Sequence, residues 1–172
     1  PRNAPLASWR GTPLIESHGE GGHFVNTASM AGHISPGGME PYCATKFAVV
    51  AMSEGWNQQL KPKNIGVSVL CPGLVSTNIY DGRRNRQGAY GEKDKDWGRE
   101  TVEQQRVWMA GGIDPLVVGQ RVVEGIKDDD MYIFTHVEYR GVVKERFERV
   151  MAGFDKSEKS PALNSLPKNR RL

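Results

Sequence analysis

The sequence has few cysteines and no long apolar run. These features argue against a metal-binding or disulfide-bonded protein and against a membrane-spanning one. Cys43 and Cys71 are the 2 cysteines among 172 residues, and they form neither a CxxC pair nor a metal-binding spacing with the 4 histidines. Both lie in apolar segments, so we expect buried free thiols, a reducing compartment and no bound metal. No apolar stretch approaches the roughly 20 residues that span a bilayer, and residues 1–13 contain no hydrophobic signal segment. We therefore expect a cytoplasmic protein without a membrane partner.

An excess of charge of one sign is confined to the C-terminal tail. The formal net charge of the chain is +3, and residues 155–172 alone account for +3, so the remainder is formally neutral. A neutral body with a short basic tail gives little support for nucleic-acid binding. We expect residues 155–172 to be a disordered basic tail, and we expect no nucleic-acid partner.

The rest of the chain alternates between predicted strands and predicted helices. Short β-branched runs between turn residues predict strands at residues 23–28, 65–71 and 131–136. Apolar spacing and helix-start residues predict helices at residues 41–60, 101–110, 114–126 and 138–154. This order predicts an α/β fold, with a parallel sheet and helices on its faces. A sheet of so few strands leaves one edge open, and an open edge of this kind is normally covered.

The predicted domain occupies most of the chain. Residues 1–13 contain three prolines and no hydrophobic period, so we expect an irregular leader. Residues 14–154 form the α/β domain, and the polar segment at about residues 78–112 is expected to be a mobile insertion within it.

Tyr42 and Lys46 are the first candidates for chemistry, because residues four apart on a helix share a face. A phenol with a pKa near 10 is a poor base at neutral pH, and a nearby ammonium group favours its ionised form. A tyrosine so placed can exchange a proton with a carbonyl or carbinol oxygen. Most such pairs are surface neighbours, so the pair alone indicates little.

Two strand ends add further candidates. Ser29 follows the first predicted strand, where its hydroxyl either binds a substrate oxygen or caps a turn. Pro72, Gly73, Val75 and Thr77 follow the second strand, and ligands of parallel sheets bind at this edge. Pro72-Gly73 alone would be an ordinary strand terminator.

Three segments together resemble the short-chain dehydrogenases/reductases. The segments are Asn26-Thr27-Ala28-Ser29-Met30-Ala31-Gly32, Tyr42-Cys43-Ala44-Thr45-Lys46 and Cys71-Pro72-Gly73-Leu74-Val75-Ser76-Thr77. Their order, their spacing and their strand–helix–strand context all agree with that family. The resemblance implies a Rossmann-type sheet, which would be partial here, and an oxidoreductase that uses NAD or NADP.

The resemblance also implies a role for each candidate. Tyr42 would be the general acid/base, Lys46 would assist it and bind the nicotinamide ribose, and Ser29 would orient the substrate oxygen. Pro72, Gly73, Val75 and Thr77 would line the nicotinamide pocket, and residues 78–112 would form the substrate lid. The reaction would interconvert a secondary alcohol and a ketone. The pattern up to residue 140 also resembles bacterial dehydrogenases of bulky aryl alcohols, which implies a small-molecule alcohol or ketone substrate with a bulky or aromatic group.

The sequence departs from the family pattern in its first part. The glycine-rich turn T-G-x-x-x-G-x-G, the residue that selects NAD or NADP, and the N-N-A-G segment do not occur. We therefore expect the catalytic, C-terminal portion of a family member, with a truncated or misread start as the explanation.

Two other functions stay open at this point. A catalytically incompetent remnant would act only through oligomerisation, because the family commonly forms homo-dimers or homo-tetramers through segments equivalent to residues 41–60 and 131–154. A nucleic-acid or membrane-surface protein acting through the basic tail is supported least. His33 and His136 could contact substrate, but structural or solvated roles are expected for both.

Overall fold

A computed structural model describes residues 6–80, 87 and 102–165. The helices are α1 (Leu6–His18), α2 (Glu40–Leu60), α3 (Val102–Ala110), α4 (Pro115–Lys127), α5 (Arg140–Glu158) and α6 (Pro161–Asn164). The strands are β1 (Gly22–Thr27), β2 (Ile65–Cys71) and β3 (Tyr132–Phe134).

The three strands form one parallel sheet in the order β1-β2-β3. Gly22 pairs with Ile65 at one end of the β1–β2 ladder, and Thr27 pairs with Leu70 at the other. β2 is the central strand, and its apolar run is buried on both faces, as a parallel sheet covered by helices requires. The predicted α/β fold with a partial Rossmann-type sheet is confirmed.

Helices cover both faces of this sheet. On one face, Leu60 of α2 and Ile15 of α1 pack with Ile65 and Val67, while Val50 of α2 packs further along the same strand. On the other face, α4 contributes Val118 and Val122 to a cluster that also contains Leu70 and Ile133 of the sheet. The core therefore consists of alternate residues of β2 that point toward two different helix layers.

The start of α4 is capped as its sequence predicts. Asp114 has an extended backbone, and its Oδ1 accepts a hydrogen bond of 2.7 Å from the Leu116 N–H, with Pro115 at the first helical position.

Removing this cap gives a modest, measurable loss of stability. Asp114→Ala is expected to lower the free energy of unfolding by about 1 kcal/mol, because one N–H of the first turn loses its partner. Asp114→Asn keeps an acceptor oxygen and is the matched control, expected to stay close to the unsubstituted protein. Urea denaturation of the three proteins measures the difference, and equal losses in both variants would contradict the capping role.

Both ends of the domain differ from the sequence prediction. The irregular leader predicted for residues 1–13 is wrong from Leu6 onward, because α1 includes Pro13. The disordered tail predicted for residues 155–172 is wrong at its start, since α5 continues to Glu158 and α6 follows. Residues 1–5 and 166–172 lie outside the described residues. The helix predicted at residues 101–110 is confirmed as α3, while most of the predicted lid between residues 81 and 101 also lies outside them.

The described ranges contain neither a membrane-spanning helix nor a metal-binding cluster. None of the helices within residues 6–80 and 102–165 is long and apolar enough to cross a bilayer. No group of three or more His, Cys, Asp or Glu side chains in the same ranges is arranged to hold a metal ion.

Candidate active site

A cavity of about 750 Å³ opens where β1 and β2 end. All seven residues predicted from the sequence line it, namely Ser29, Tyr42, Lys46, Pro72, Gly73, Val75 and Thr77. The cavity has the size of a typical small-molecule site, which is on the order of 300–1,000 Å³. Its position at the carboxyl ends of parallel strands is where ligands bind in open α/β sheets.

Tyr42 and Lys46 reach this cavity from the first turns of α2. The Tyr42 side chain is 43% exposed, so the residue is accessible to a ligand in the cavity. The Lys46 Nζ lies 5.7 Å from the centre of the Tyr42 ring and donates a hydrogen bond of 3.4 Å to the carbonyl oxygen of Thr27, the last residue of β1. The end of β1 thus holds the ammonium group beside the phenol.

Ser29 both caps a turn and faces the cavity. Its Oγ accepts a hydrogen bond of 3.2 Å from the Ala31 N–H, which begins a short 3-10 helix at Met30–Gly32. The same Oγ donates a long hydrogen bond of 3.4 Å to the Pro72 carbonyl oxygen, which also accepts from the Met30 N–H at 2.9 Å. The ends of β1 and β2 are therefore joined through the Pro72 carbonyl.

The loop after β2 is held on two sides. On one side, Ile113 donates to the Leu74 carbonyl at 3.0 Å, and Ser76 donates to the Ile113 carbonyl at 2.9 Å. On the other side, the Gly73 N–H donates to Nδ1 of His136 at 3.1 Å. His136 does not line the cavity itself, and no feature of the sequence indicated this contact.

Most of the apolar wall of the cavity consists of residues that were not predicted from the sequence. The wall includes Ile34, Met39, Ile79, Trp108, Met109 and Tyr139. Ile79 and Trp108 are 72% and 66% exposed, which is unusual for large apolar side chains beside a cavity. Both fall in the segment predicted as a lid. Large apolar residues within a polar insertion were the feature that could have indicated a ligand-facing wall.

Cys71 and His33 lie next to the site but outside its lining. The Cys71 side chain is fully buried, and its Sγ lies 3.3 Å from Nε2 of His33. Burial raises the pKa of Cys71 to about 12, outweighing the opposing effects of the Ser29 backbone and the Lys46 charge. Burial disfavours the charged form of His33 as well, and therefore lowers the pKa of His33. The thiol is therefore protonated at neutral pH and unsuited to nucleophilic chemistry, and both cysteines are buried and free, as predicted.

Comparison with known proteins agrees with this geometry. A family model described as short chain dehydrogenase matches residues 7–88. The structure superposes with a TM-score of 0.73 on a short-chain dehydrogenase/reductase from Burkholderia phymatum solved in complex with NAD, with 32% identity over 83% of this chain and 53% of that one. The chain belongs to the short-chain dehydrogenase/reductase family.

Two curated dehydrogenases are also similar to this chain, at lower identity. A C alpha-dehydrogenase from a Sphingobium species is 27% identical over 149 residues, covering 87% of this chain and 49% of that protein. A CLA biosynthesis dehydrogenase/reductase from Lactiplantibacillus plantarum is 29% identical over 135 residues, covering 74% and 47%. The chain thus spans about half the length of these two relatives.

Proposed function

We propose that this cavity is the active site of an NAD- or NADP-dependent oxidoreductase that interconverts a secondary alcohol and a ketone. The observation that carries the proposal is the convergence of Ser29, Tyr42 and Lys46 with the Pro72–Gly73 loop around one cavity at the ends of parallel strands. Three separate elements supply these groups, and their side-chain types are those that proton transfer to a carbonyl oxygen requires.

The residues present fit the nicotinamide half of such a cofactor. Lys46 would supply a cation to a ribose hydroxyl, and Pro72 and Gly73 would form a wall of the cavity with little side-chain bulk. When bound, the cofactor supplies or removes the hydride. The glycine-rich turn that binds pyrophosphate in the family does not occur in the sequence, so the fit covers one end of the cofactor.

The protein's own residues handle the oxygen and the proton. Ser29 would hold the substrate oxygen by a hydrogen bond, and Tyr42 would donate a proton to that oxygen during reduction or remove it during oxidation. The Lys46 ammonium would stabilise the phenolate that remains after donation. Each of these groups already faces the cavity.

The substrate is expected to be uncharged and bulky next to its reacting carbon. Among the described lining residues, Lys46 is the only cation and no carboxylate occurs. The apolar wall includes Met39, Ile34 and Trp108. These side chains would cover an aryl or branched alkyl group and would offer no partner to an anionic one. The Burkholderia protein in complex with NAD supports the proposed cofactor, and the name C alpha-dehydrogenase supports a dehydrogenase reaction.

A fluorescence titration of the purified chain with NADH and with NADPH tests the proposal. We expect saturable binding of one dinucleotide, followed by turnover that is faster for an aryl-substituted secondary alcohol than for a small aliphatic one. The absence of saturable binding for both dinucleotides would contradict an enzymatic role for this chain by itself.

Self-association is the second candidate function, and α5 favours it. No residue of α5 is buried, and it exposes Phe147, Met151 and Phe154 at 52%, 58% and 65% along one face. An apolar stripe of this kind commonly marks an interface. A homo-dimer or homo-tetramer in sedimentation analysis, combined with no dinucleotide binding, would favour association as the sole activity.

A further inference from the structure

His136 uses both ring nitrogens on the backbone of one cavity-lining loop. Its Nδ1 lies 3.1 Å from the Gly73 nitrogen, and its Nε2 lies 3.0 Å from the Leu74 carbonyl oxygen. The side chain is 8% exposed, so water does not readily replace either contact. A backbone N–H only donates and a carbonyl only accepts. The contacts therefore require a neutral imidazole with its proton on Nε2.

The neighbours of His136 agree with this tautomer. The Thr135 hydroxyl lies 2.7 Å from Nδ1 and can act as a second donor to it. The Tyr139 ring packs edge-on against the imidazole with centres 6.2 Å apart, and Tyr139 lines the cavity. Contacts with Thr135 and Tyr139, which follow β3 in the chain, thus fix the His136 ring independently of its contacts with the loop.

Gly73 is shaped to receive this ring. A Cβ added at Gly73 would lie 2.8 Å from both Cγ and Cδ2 of His136, which is closer than real Cβ contacts allow. The glycine therefore brings the loop backbone against the imidazole, in addition to presenting little bulk to the cavity.

We infer that His136 is a positioning residue, which fixes the Pro72–Leu74 backbone as one wall of the cavity and so sets where the nicotinamide ring rests. The inference rests on the proposed function for the identity of the ligand, but not for the loop contact. The Leu74 carbonyl also accepts from Ile113, whereas the Gly73 N–H has His136 as its acceptor. Removing the imidazole should therefore weaken the hydrogen bonding of the Gly73 N–H more than that of the Leu74 carbonyl.

Substitutions at His136 can separate the two hydrogen bonds. His136→Phe keeps a planar buried ring and removes both. His136→Asn places an oxygen near the position of Nδ1 and preserves an acceptor for Gly73, while His136→Gln places a donor near the position of Nε2 for Leu74.

His23 provides a matched control at the opposite edge of the sheet. Its ring lies against Gly66, where an added Cβ would collide with Nδ1 of His23, and its Nε2 contacts the Ser68 hydroxyl at 2.7 Å. That hydroxyl also donates to the Asp130 carbonyl oxygen, so His23→Phe leaves Ser68 with a partner. The control thus removes a half-buried histidine that packs on Gly66 within β2, away from the loop that follows this strand.

Amide hydrogen exchange is the first measurement, because it needs no cofactor. We expect the Gly73 amide to exchange roughly tenfold faster in His136→Phe than in the unsubstituted protein, relative to the amides of β2. In His136→Asn and His23→Phe it should exchange at close to the original rate. The inference is overturned if the Gly73 amide exchanges equally fast in His136→Phe and in the unsubstituted protein. It is also overturned if exchange of this amide is as fast in His136→Asn as in His136→Phe.

Dinucleotide affinity is the second measurement. His136→Phe should raise the Kd of the preferred dinucleotide by roughly tenfold, whereas His23→Phe should leave the Kd within about twofold. An equal rise in both variants would show a general loss of structure and overturn the positioning role. If the unsubstituted chain binds no dinucleotide, the proposed function fails while the exchange experiment still decides whether His136 holds the loop.

Discussion

Tyr42→Phe is expected to lower turnover by at least about 100-fold, the usual effect of removing a general acid/base. The substitution retains the aromatic ring beside Lys46, where the ammonium lies 5.7 Å from the ring centre, and it removes only the hydroxyl. In the proposed reaction the hydroxyl would act on the substrate oxygen, so dinucleotide affinity should change far less than turnover. Steady-state kinetics with the preferred dinucleotide, together with a titration of that dinucleotide, measures both quantities.

Tyr132→Phe is the control for the loss of a tyrosine hydroxyl elsewhere in the domain. The Tyr132 hydroxyl donates to Glu54 at 2.6 Å and does not line the cavity. Burial and this carboxylate raise the pKa of Tyr132 to about 12, so it remains a neutral phenol at neutral pH. A variant at Tyr42 that keeps its turnover, or one that loses no more than Tyr132→Phe, would contradict the catalytic assignment.

Ile133→Ala is expected to lower the free energy of unfolding by about 2–5 kcal/mol. Ile133 is 0% exposed and packs in the middle of β3 against Leu70 and Val118. Helix α4 approaches so closely at Gly125 that an added Cβ there would lie 2.6 Å from Cδ1 of Ile133. Because the surrounding backbone is this tight, the space left by the side chain cannot close without moving a helix.

Ile133→Val is the graded control and should cost about 0.5–1.5 kcal/mol, since one methyl group is removed. Both values follow from the denaturant midpoints, provided that the slope of unfolding free energy against denaturant concentration is the same in all variants. A loss below about 1 kcal/mol for the alanine variant would mean that α4 shifts freely over the sheet, contrary to the packing described here.

The sequence predicted those parts of the fold whose determinants are local. The run from Ile65 to Cys71 predicted the central strand to its final residue, since a β-branched segment buried on two faces has no competing period. Asp114-Pro115 likewise predicted the start of α4 from a cap and a first-turn proline. The spacing of Tyr42 and Lys46 placed them on one helix face, and they line one cavity.

Features that depend on distant contacts were not predictable. Helix α1 contains Pro13, and a proline inside a helix costs about 3 kcal/mol, yet Ile15 of the same helix packs against Phe24 and Trp56. Tertiary burial thus outweighs a local preference. The contact of His136 with Gly73 joins residues 63 apart in the chain, and no local pattern connects them.

The two imidazoles that rest on glycines have a consequence for how the sheet assembles. His23 lies on Gly66 near the start of β2, and His136 lies on Gly73 just past its end. A shift of β2 by one residue would turn its apolar side chains to the wrong helix layer. A shift of two residues toward either end would restore the faces but place a residue with a Cβ, such as Ser68, beneath a ring that has no space for it. Together, the two contacts therefore allow one alignment of β2, in which the loop after the strand lines the cavity.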